Sequence, residues 1–470
     1  MTQASFLKRF TLRGLNGYKT ITLNCKTSTK VVSGDNGSGK TSLLNALYAV
    51  LAGKQPVLYA INFDSFELEW STGVVVKASK TELFGSINAE TIMAISGIEF
   101  FTENGLSDSE TTDLISLFLL GDEEAVTNSS GFKTLYTDTV YDRDDILAAC
   151  RRIAKSVKSA GQFSEIHQKV KELLADVAVL YLPTYRRIEA DLPEYRVKQS
   201  NIFPRTKSQK DGWNSDRLIN FGLEDVEQKL NSISTAIRRE TLAAYSRISG
   251  KTLEELIAIN DFEEPPIPTE EDIPSIQLVL SRIGRQSTAT ESKIADLIRH
   301  NQIGEPRYLQ LRRFLAQLQE IYAERRLEEQ AIEDFANLVN EYLNINSNAE
   351  KEFVFDKQKV ELQIINKYTE KSLKLGALSS GEKQIVSIFA RLLLDPNRRY
   401  FIIIDEPELS LSIEWQERFL PDISKNQSCN QLIAITHSPF IFKNELSSVS
   451  GSLEVDVAML SNASAGTASP

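Results

Sequence analysis

One stretch, Val31–Thr41 with the sequence VVSGDNGSGKT, constrains the fold of this chain more than any other. It matches the phosphate-binding pattern G-x-x-x-x-G-K-[ST] at every fixed position. The apolar residues before the glycines predict a short buried strand, and Thr41–Leu51 (TSLLNALYAVL) predicts a helix. A strand, a glycine-rich turn and a helix in this order predict an α/β fold whose turn surrounds an anion.

The residue types in this turn suit a triphosphate. Glycines allow the backbone to curl so that successive N–H groups point at one anion, and the helix N-terminus adds partial positive charge. Lys40 would reach the β- and γ-phosphates, and the Thr41 hydroxyl would bind Mg²⁺. The predicted nucleotide contacts are Asn36, Gly37, Ser38, Gly39, Lys40 and Thr41. The competing interpretation is a chance match in a glycine-rich turn.

Length and composition narrow the class of protein. A chain of 470 residues predicts two or three domains, and a net charge of −11 argues against a general nucleic-acid coat, although a local basic patch is not excluded. The three cysteines form no Cys-x-x-Cys pair, and the N-terminal segment lacks a secretory apolar core. We therefore expect a protein of the reducing cytoplasm, without a membrane partner.

Patterns along the chain predict four regions. Residues 1–195 and 350–460 carry strand patterns and would form the two lobes of one α/β unit. Residues 196–349 are mostly helical by periodicity and would form a compact insertion, because their heptads are not sustained enough for a long coiled coil. Residues 461–470 are small and polar, which predicts a disordered tail.

Two features between these regions suggest contacts with anions. Val177–Leu182 (VAVLYL) predicts a central parallel strand, and Arg186 and Arg187 follow it, where ligands of parallel sheets bind. The alternative is that these arginines are solvated and pair with nearby acids. The basic stretch 196–217 would dock an anionic partner, or it is a solvated loop.

A second cluster of chemistry begins at Leu378–Gln384 (LSSGEKQ), directly before an apolar helical segment. Ser380 and Gly381 would offer a hydroxyl and free backbone N–H groups at a helix start, and such groups suit a γ-phosphate. Considered alone, the segment also fits an ordinary helix N-cap.

Two further strand ends carry polar residues. Phe401–Asp405 (FIIID) predicts a buried strand, after which Asp405 would hold Mg²⁺ and Glu406 would act as general base on the attacking water. A surface acidic pair closing the strand is the alternative. Leu432–Thr436 predicts another buried strand, and His437 at its end would touch the γ-phosphate, or it has only a structural role.

Taken together, these four motifs resemble the Walker A, signature, Walker B and switch-histidine elements of ABC-type ATPases. Their order and spacing are similar to the branch that contains SMC proteins, the zinc-hook repair ATPases and RecF. The resemblance implies an ABC-type head, a mixed sheet flanked by helices, with a compact α-helical insertion. It also implies a homodimer or higher homo-oligomer in which Ser380 and Gly381 of one copy meet the ATP bound by Lys40 of another.

Departures from the branch favour one group within it. The very long coiled coils and the Cys-x-x-Cys hook are missing, and only 33 residues follow His437, too few for a nuclease domain. Residues 179–189 and 405–412 resemble stand-alone ATPases of antiphage systems, AriA of PARIS and next PtuA of Septu and certain retrons. That resemblance implies a slow ATPase that controls a separate TOPRIM or HNH nuclease and responds to a phage-encoded trigger. The alternatives are a RecF-like or SMC-like repair ATPase acting on DNA and, less favoured, an ABC transport subunit.

Overall fold

The computed structural model describes most of the chain. The described residues are 6–34, 37–84, 92–93, 97–119, 123–139, 141–156, 162–183, 223–257, 264–283, 288–345 and 349–457. Several sequence predictions lie outside them: those for Asn36, for Arg186 and Arg187, for the basic stretch 196–217 and for the tail 461–470.

The described strands form three sheets. In chain order they are β1 (Leu7–Leu15), β2 (Lys19–Asn24), β3 (Thr29–Ser33), β4 (Ser65–Trp70), β5 (Val75–Ser79), β6 (Val177–Leu182), β7 (Lys351–Asp356), β8 (Glu361–Asn366), β9 (Ser372–Leu373), β10 (Arg399–Asp405), β11 (Cys429–Thr436), β12 (Ser450–Gly451) and β13 (Glu454–Val457). The sheet orders are β12-β3-β11-β10-β6, β13-β2-β1-β4-β5 and β7-β8-β9.

The described helices fall into groups before and after residue 200. In chain order they are α1 (Lys40–Ala52), α2 (Gln55–Ala60), α3 (Lys80–Phe84), α4 (Glu99–Glu103), α5 (Asp108–Leu119), α6 (Glu123–Asn128), α7 (Ser130–Asp138), α8 (Arg143–Ser156), α9 (Phe163–Leu174), α10 (Leu223–Ile257), α11 (Ile273–Ile283), α12 (Thr288–Arg299), α13 (Leu309–Asn344), α14 (Ser380–Leu393) and α15 (Ile413–Lys425). Within the described ranges, no helix has the length and apolar character needed to cross a membrane.

The parallel sheet is buried on both faces, which explains its continuous apolar strands. In β10, Phe401 and Ile403 join the core shared with α1, whereas Ile402 and Ile404 join the core shared with α14 and α15. The strand Val177–Leu182 pairs with β10 alone and lies at the end of the described sheet order. The predicted parallel pairing is confirmed, whereas among the described strands this one lies at the end and not at the centre. An apolar run gives no information about which strands are neighbours.

Helix α1 lies between the parallel sheet and the antiparallel sheet. In β4 of the antiparallel sheet, buried residues alternate regularly with half-buried ones, as expected where one face is the better covered. Phe10, Phe66 and Trp70 pack in the same core as Leu44 and Leu47 of α1. Because α1 is covered on both sides, its start is held firmly against the end of β3.

Two helical parts are attached to this α/β unit. The first, α4 to α8, buries its own apolar cluster around Phe101, Leu114 and Cys150. The second is the long pair α10 and α13, which is antiparallel because Val226 near the start of α10 shares a core with Val339 near the end of α13. Helices α11 and α12 pack at the far end of this pair. The predicted fold class, a mixed α/β unit with flanking helices, is confirmed.

Candidate functional site

Three parallel strands bring the sequence motifs to one edge of the sheet. Strand β3 pairs with β11 so that Ser33 lies beside Thr436, and β11 pairs with β10 so that Ile435 lies beside Asp405. The carboxyl ends of all three strands therefore meet, although their residues are separated by up to several hundred positions in sequence. In parallel sheets this is the edge at which ligands bind.

Gly39 shows why the loop after β3 needs glycine. Its backbone is left-handed, with φ of 93°, and it caps the N-terminus of α1. A Cβ atom at this position would lie 2.5 Å from Ile21 Cδ1 and 2.9 Å from Leu15 Cδ2, so the ends of these two buried side chains would have to shift. Gly37 is also left-handed, with φ of 79°, but none of the described residues lies within 4 Å of a Cβ atom there. The loop is thus packed on its sheet side and open beside Gly37.

Lys40 directs its ammonium group into the loop. The residue is only 6% exposed, and Nζ donates to the carbonyl of Gly34 at 2.8 Å and to Ser38 Oγ at 3.3 Å. A buried ammonium is costly unless oxygen atoms surround it, and phosphate oxygens would serve in the same way. A second cation lies near the loop, because Lys19 Nζ donates to the carbonyl of Gly37 at 3.0 Å.

Thr41 and Asp405 join the loop to the acidic strand end. The Thr41 hydroxyl donates to Asp405 Oδ2 at 3.1 Å, and Asp405 is 3% exposed. One hydroxyl and one carboxylate beside a phosphate loop are the oxygen donors that Mg²⁺ takes from proteins, the substrate phosphates and water supplying the rest. The residues present therefore fit Mg²⁺ bound together with a nucleotide.

Glu406 follows the strand in a strained conformation. Its φ is 52°, in the left-handed region that side chains other than glycine rarely adopt, and its N–H donates to the carbonyl of Ile435 at 2.9 Å. Such strain costs about 1–3 kcal/mol and is concentrated at functional sites. Glu406 thus lies at the sheet edge directly after Asp405, and its catalytic role stays a prediction.

His437 lies at the same edge, immediately after β11. The residue is exposed, and its backbone N–H donates to Glu408 Oε1 at 2.7 Å. The hydroxyl of Thr436 donates to the other oxygen of the same carboxylate, also at 2.7 Å. An exposed imidazole on an anchored backbone is suited to contact a ligand that approaches from solvent.

The signature segment starts helix α14 and packs on the segment after Asp405. Ser379 is the N-cap and forms a reciprocal capping box with Glu382, so Ser380 is the first helical residue. A Cβ atom at Gly381 would lie 2.4 Å from the carbonyl oxygen of Ser410, which explains the glycine. Beside it is a cavity of about 390 Å³ lined in part by Lys351, Ser379, Gly381, Glu382, Ser410 and Trp415.

Comparison with known proteins identifies the family. The sequence model of one protein family, described as the AAA ATPase domain, matches residues 6–442 of this chain. The chain belongs to this family. The AAA ATPase domain here thus spans both lobes and the helices between them.

Two solved structures resemble this AAA ATPase domain over nearly their whole length. One is the Smc head domain with an extended coiled coil bound to the C-terminal domain of ScpA, from Pyrococcus furiosus, at 10% identity and a TM-score of 0.34, covering 96% of each chain. The other is the SmcHead bound to the C-winged helix domain of ScpA, at 10% identity and a TM-score of 0.31, covering 97% of this chain and 98% of that one. Because the sequence identities and TM-scores are this low, neither structure supports a conclusion about the function of this chain. No curated protein matches the chain.

The AAA ATPase domain brings together most of the residues predicted for the site. Thr41 and Asp405 are in contact, and Lys40, Glu406 and His437 belong to the same sheet edge. Ser380 and Gly381 are placed differently, at the start of α14 beside Ser410. Asn36 lies outside the described residues.

Sequence reasoning missed two residues that the structure places at the site. Lys19 reaches the loop from β2, and Glu408 holds the backbone after β11. No local pattern identifies Lys19, because its contact depends on how the two sheets pack. Glu408 had a detectable signal, since a third acidic residue just after a buried strand requires a partner.

Proposed function

We propose that this ATPase is a nucleotide-dependent switch, in which two copies of the chain clamp ATP, and that the switch controls a separate nuclease in bacterial antiphage defence. The observation that carries the nucleotide-binding part is the contact between Thr41 and Asp405, at 3.1 Å, beside the buried Lys40. It joins the phosphate loop to the acidic strand end as ATP hydrolysis requires.

Each polar residue has a distinct part in the proposed reaction. Lys40 and the loop N–H groups bind the phosphates of ATP, while Thr41 and Asp405 would hold Mg²⁺. Bound there, Mg²⁺ would offset negative charge on the phosphate oxygens. Glu406 accepts a proton from the water that attacks the γ-phosphate, and His437 contacts that phosphate as the reaction proceeds.

The signature helix supports a site that needs a second copy. Ser380 is half-buried at the first turn of α14, where backbone N–H groups have no partner within the helix. Gly381 packs on Ser410, in the segment that follows Asp405, and not on the phosphate loop of its own chain. We propose that the γ-phosphate bound by Lys40 of a second copy completes this helix start.

A Glu406→Gln variant tests the ATPase part of the proposal. The amide cannot accept the proton, so the variant should bind ATP with Mg²⁺, fail to hydrolyse it and sediment as a dimer or larger oligomer. The matched control is Glu445→Gln, because Glu445 is exposed and pairs on the surface with Lys425. The control should hydrolyse ATP at the wild-type rate. Hydrolysis by Glu406→Gln at that rate would refute the general-base role.

The defence role rests on the resemblance of residues 405–412 (DEPELSLS) and 179–189 to stand-alone antiphage ATPases. In such a system the ATPase holds a TOPRIM or HNH nuclease and releases it when a phage-encoded trigger protein binds. The test is co-expression with the neighbouring reading frame, followed by purification of this chain. A nuclease that co-purifies, and that becomes toxic when this chain is removed or triggered, supports the role. A neighbour without nuclease activity or binding contradicts it.

The long helix pair α10 and α13 favours a second candidate. Helices of 35 and 36 residues pack antiparallel and lead away from the α/β unit, as a short version of an SMC arm would. An SMC-like or RecF-like ATPase acting on DNA would bind duplex with an affinity that falls steeply with salt. Titration of duplex DNA at two salt concentrations, with and without ATP, distinguishes this candidate from the first.

A further inference from the structure

Two loop segments at the sheet edge are joined by a single carboxylate. The first, residues 406–412, follows β10 and contains Glu408, and the second is the turn of residues 436–438 after β11. Glu408 accepts three hydrogen bonds from this turn: from Thr436 Oγ1 at 2.7 Å, from the N–H of His437 at 2.7 Å and from the N–H of Ser438 at 3.2 Å. Both of its oxygen atoms are therefore used to hold the backbone that carries the histidine.

Gln416 of α15 forms a second bridge between the same segments. Its Oε1 atom accepts from Ser438 Oγ at 2.6 Å, and its Nε2 atom donates to the carbonyl of Leu411 at 2.9 Å. The turn is thus held on one side by Glu408 and on the other by Gln416. Because both bridges lead to residues 406–412, a displacement of that segment would carry the turn with it.

Residues 406–412 are also in contact with the signature helix. Gly381 lies against the carbonyl of Ser410 with no room for a methyl group, and the Gln384 side chain donates to the carbonyl of Pro407 at 3.2 Å. Ser410 is left-handed, with φ of 69°, so its conformation depends on these surroundings. One path of direct contacts therefore runs from α14 through residues 406–412 to His437.

We propose that Glu408 is a positioning residue, which fixes His437 for the reaction and couples its place to the start of the signature helix. The inference rests on the proposed function, because it requires that His437 contacts the γ-phosphate. The carboxylate itself would not touch ATP. It would keep the imidazole in register with Asp405 and Glu406 at the neighbouring strand end.

A purely structural role is the competing explanation, because a carboxylate that caps a strand end also stabilises the fold. The two roles differ in what they change. A structural cap affects the amount of folded protein, whereas a positioning residue lowers kcat of the folded protein and leaves the affinity for ATP unchanged. They also differ in their dependence on His437, which only the positioning role requires.

The test is a double-mutant cycle of Glu408→Gln and His437→Ala in the full chain, measured by steady-state ATP hydrolysis and by equilibrium ATP binding. In Glu408→Gln an amide NH₂ replaces one acceptor, so we expect kcat to fall about 10- to 100-fold with KM unchanged, as for other groups that orient a reacting residue. In His437→Ala, kcat should fall by at least the same factor. The kcat of the double variant should be no lower than that of His437→Ala. The exposed Glu445→Gln again serves as the control and should match the wild type.

The outcomes separate this inference from the proposed function. If His437→Ala is slow but the effects of the two substitutions multiply in the double variant, Glu408 acts independently of the histidine and the inference is overturned. An unchanged kcat in Glu408→Gln overturns it as well. If His437→Ala hydrolyses ATP at the wild-type rate, both the inference and the proposed part of His437 fail, while the test of Glu406→Gln is unaffected.

Discussion

Gly381 and Ser410 are packed so closely that a methyl group on the glycine would lie 2.4 Å from the serine carbonyl oxygen. The contact fixes the start of helix α14 against the segment that leaves the acidic strand end. The Trp415 ring also lies at this site, at 3.3 Å from the position of that methyl group. The signature segment and residues 406–412 are therefore in direct contact and leave no space between them at Gly381.

We expect Gly381→Ala to destabilise the fold and to slow ATP hydrolysis. Overpacking against a backbone atom costs about 1–3 kcal/mol, because Ser410 or α14 must shift. The control is Gly376→Ala, since nothing lies within 4 Å of a Cβ atom there and its effect should remain within about 0.5 kcal/mol. Urea unfolding measures the difference. Equal stability of the two variants would contradict the close packing.

Replacing the Thr41 hydroxyl should weaken Mg²⁺-dependent nucleotide binding. Thr41→Val keeps the shape but removes the group that donates to Asp405, whereas Thr41→Ser keeps that group. Hydrogen bonds to charged groups contribute about 1.5–3 kcal/mol, so we expect a loss of about 10- to 150-fold in affinity for the valine variant. Calorimetric titration of ATP with Mg²⁺ and with EDTA tests this. A valine variant that retains the full effect of Mg²⁺ would remove Thr41 from the metal site.

The two left-handed glycines of the phosphate loop should respond differently to substitution. Gly39→Ala combines an unfavourable φ of 93° with contacts to Ile21 and Leu15, so we expect a loss of about 2–5 kcal/mol in unfolding free energy. Gly37→Ala carries only the backbone cost, about 1–2 kcal/mol, because its surroundings are open. Thermal unfolding without nucleotide compares them. A larger loss for Gly37→Ala would show that the loop is packed differently.

A buried ion pair joins two helices of the insertion, and its arginine also contacts the turn between β7 and β8. Arg282 of α11 and Glu329 of α13 form two hydrogen bonds at 2.6 and 2.8 Å, with side chains 6% and 7% exposed. Arg282 also donates to the carbonyl of Lys357, in the turn between β7 and β8. The same arginine therefore joins three separate elements.

We expect Arg282→Met to cost about 3–5 kcal/mol of stability, because it leaves Glu329 buried and unpaired. The double variant with Glu329→Met should recover most of this loss. Arg299→Met is the matched control, since Arg299 and Asp296 are both more than half exposed and should contribute about 0–1 kcal/mol. Chemical unfolding of the four proteins tests the prediction. No recovery in the double variant would show that the pair is not the cause.

Local patterns in the sequence were sufficient for the elements that carry the site. The strand, turn and helix around Lys40 follow from glycine spacing and apolar periodicity, and the end of β10 at Asp405 follows from an apolar run that stops at acids. The same patterns did not predict which strands lie next to each other in the sheet. Val177–Leu182 is as apolar as a central strand, but it lies at the end of the described sheet order and most of its residues are only half-buried.

The missed contacts are those made between distant parts of the chain. In the sequence, Glu408 is only one of three acidic residues at the end of a predicted strand. The parallel pairing of β10 with β11 is what places it against His437. Lys19 reads as a surface lysine, and only the packing of the antiparallel sheet beside α1 places it near Gly37. The sequence contains no local signal for the place of Lys19. For Glu408 it shows an acidic residue that requires a partner, but it does not identify that partner.

The central claim, that ATP is held between two copies of the chain, is tested most directly by mixing two inactive variants. Lys40→Ala lacks the loop cation, and Ser380→Glu places negative charge where the γ-phosphate would meet α14, at a helix start that tolerates glutamate. Each variant alone should not hydrolyse ATP, but a mixed dimer would contain one intact site. Random pairing gives half mixed dimers with one of two sites intact, so we predict that an equimolar mixture regains about a quarter of wild-type activity. A mixture of two folded variants that remains inactive would contradict the account.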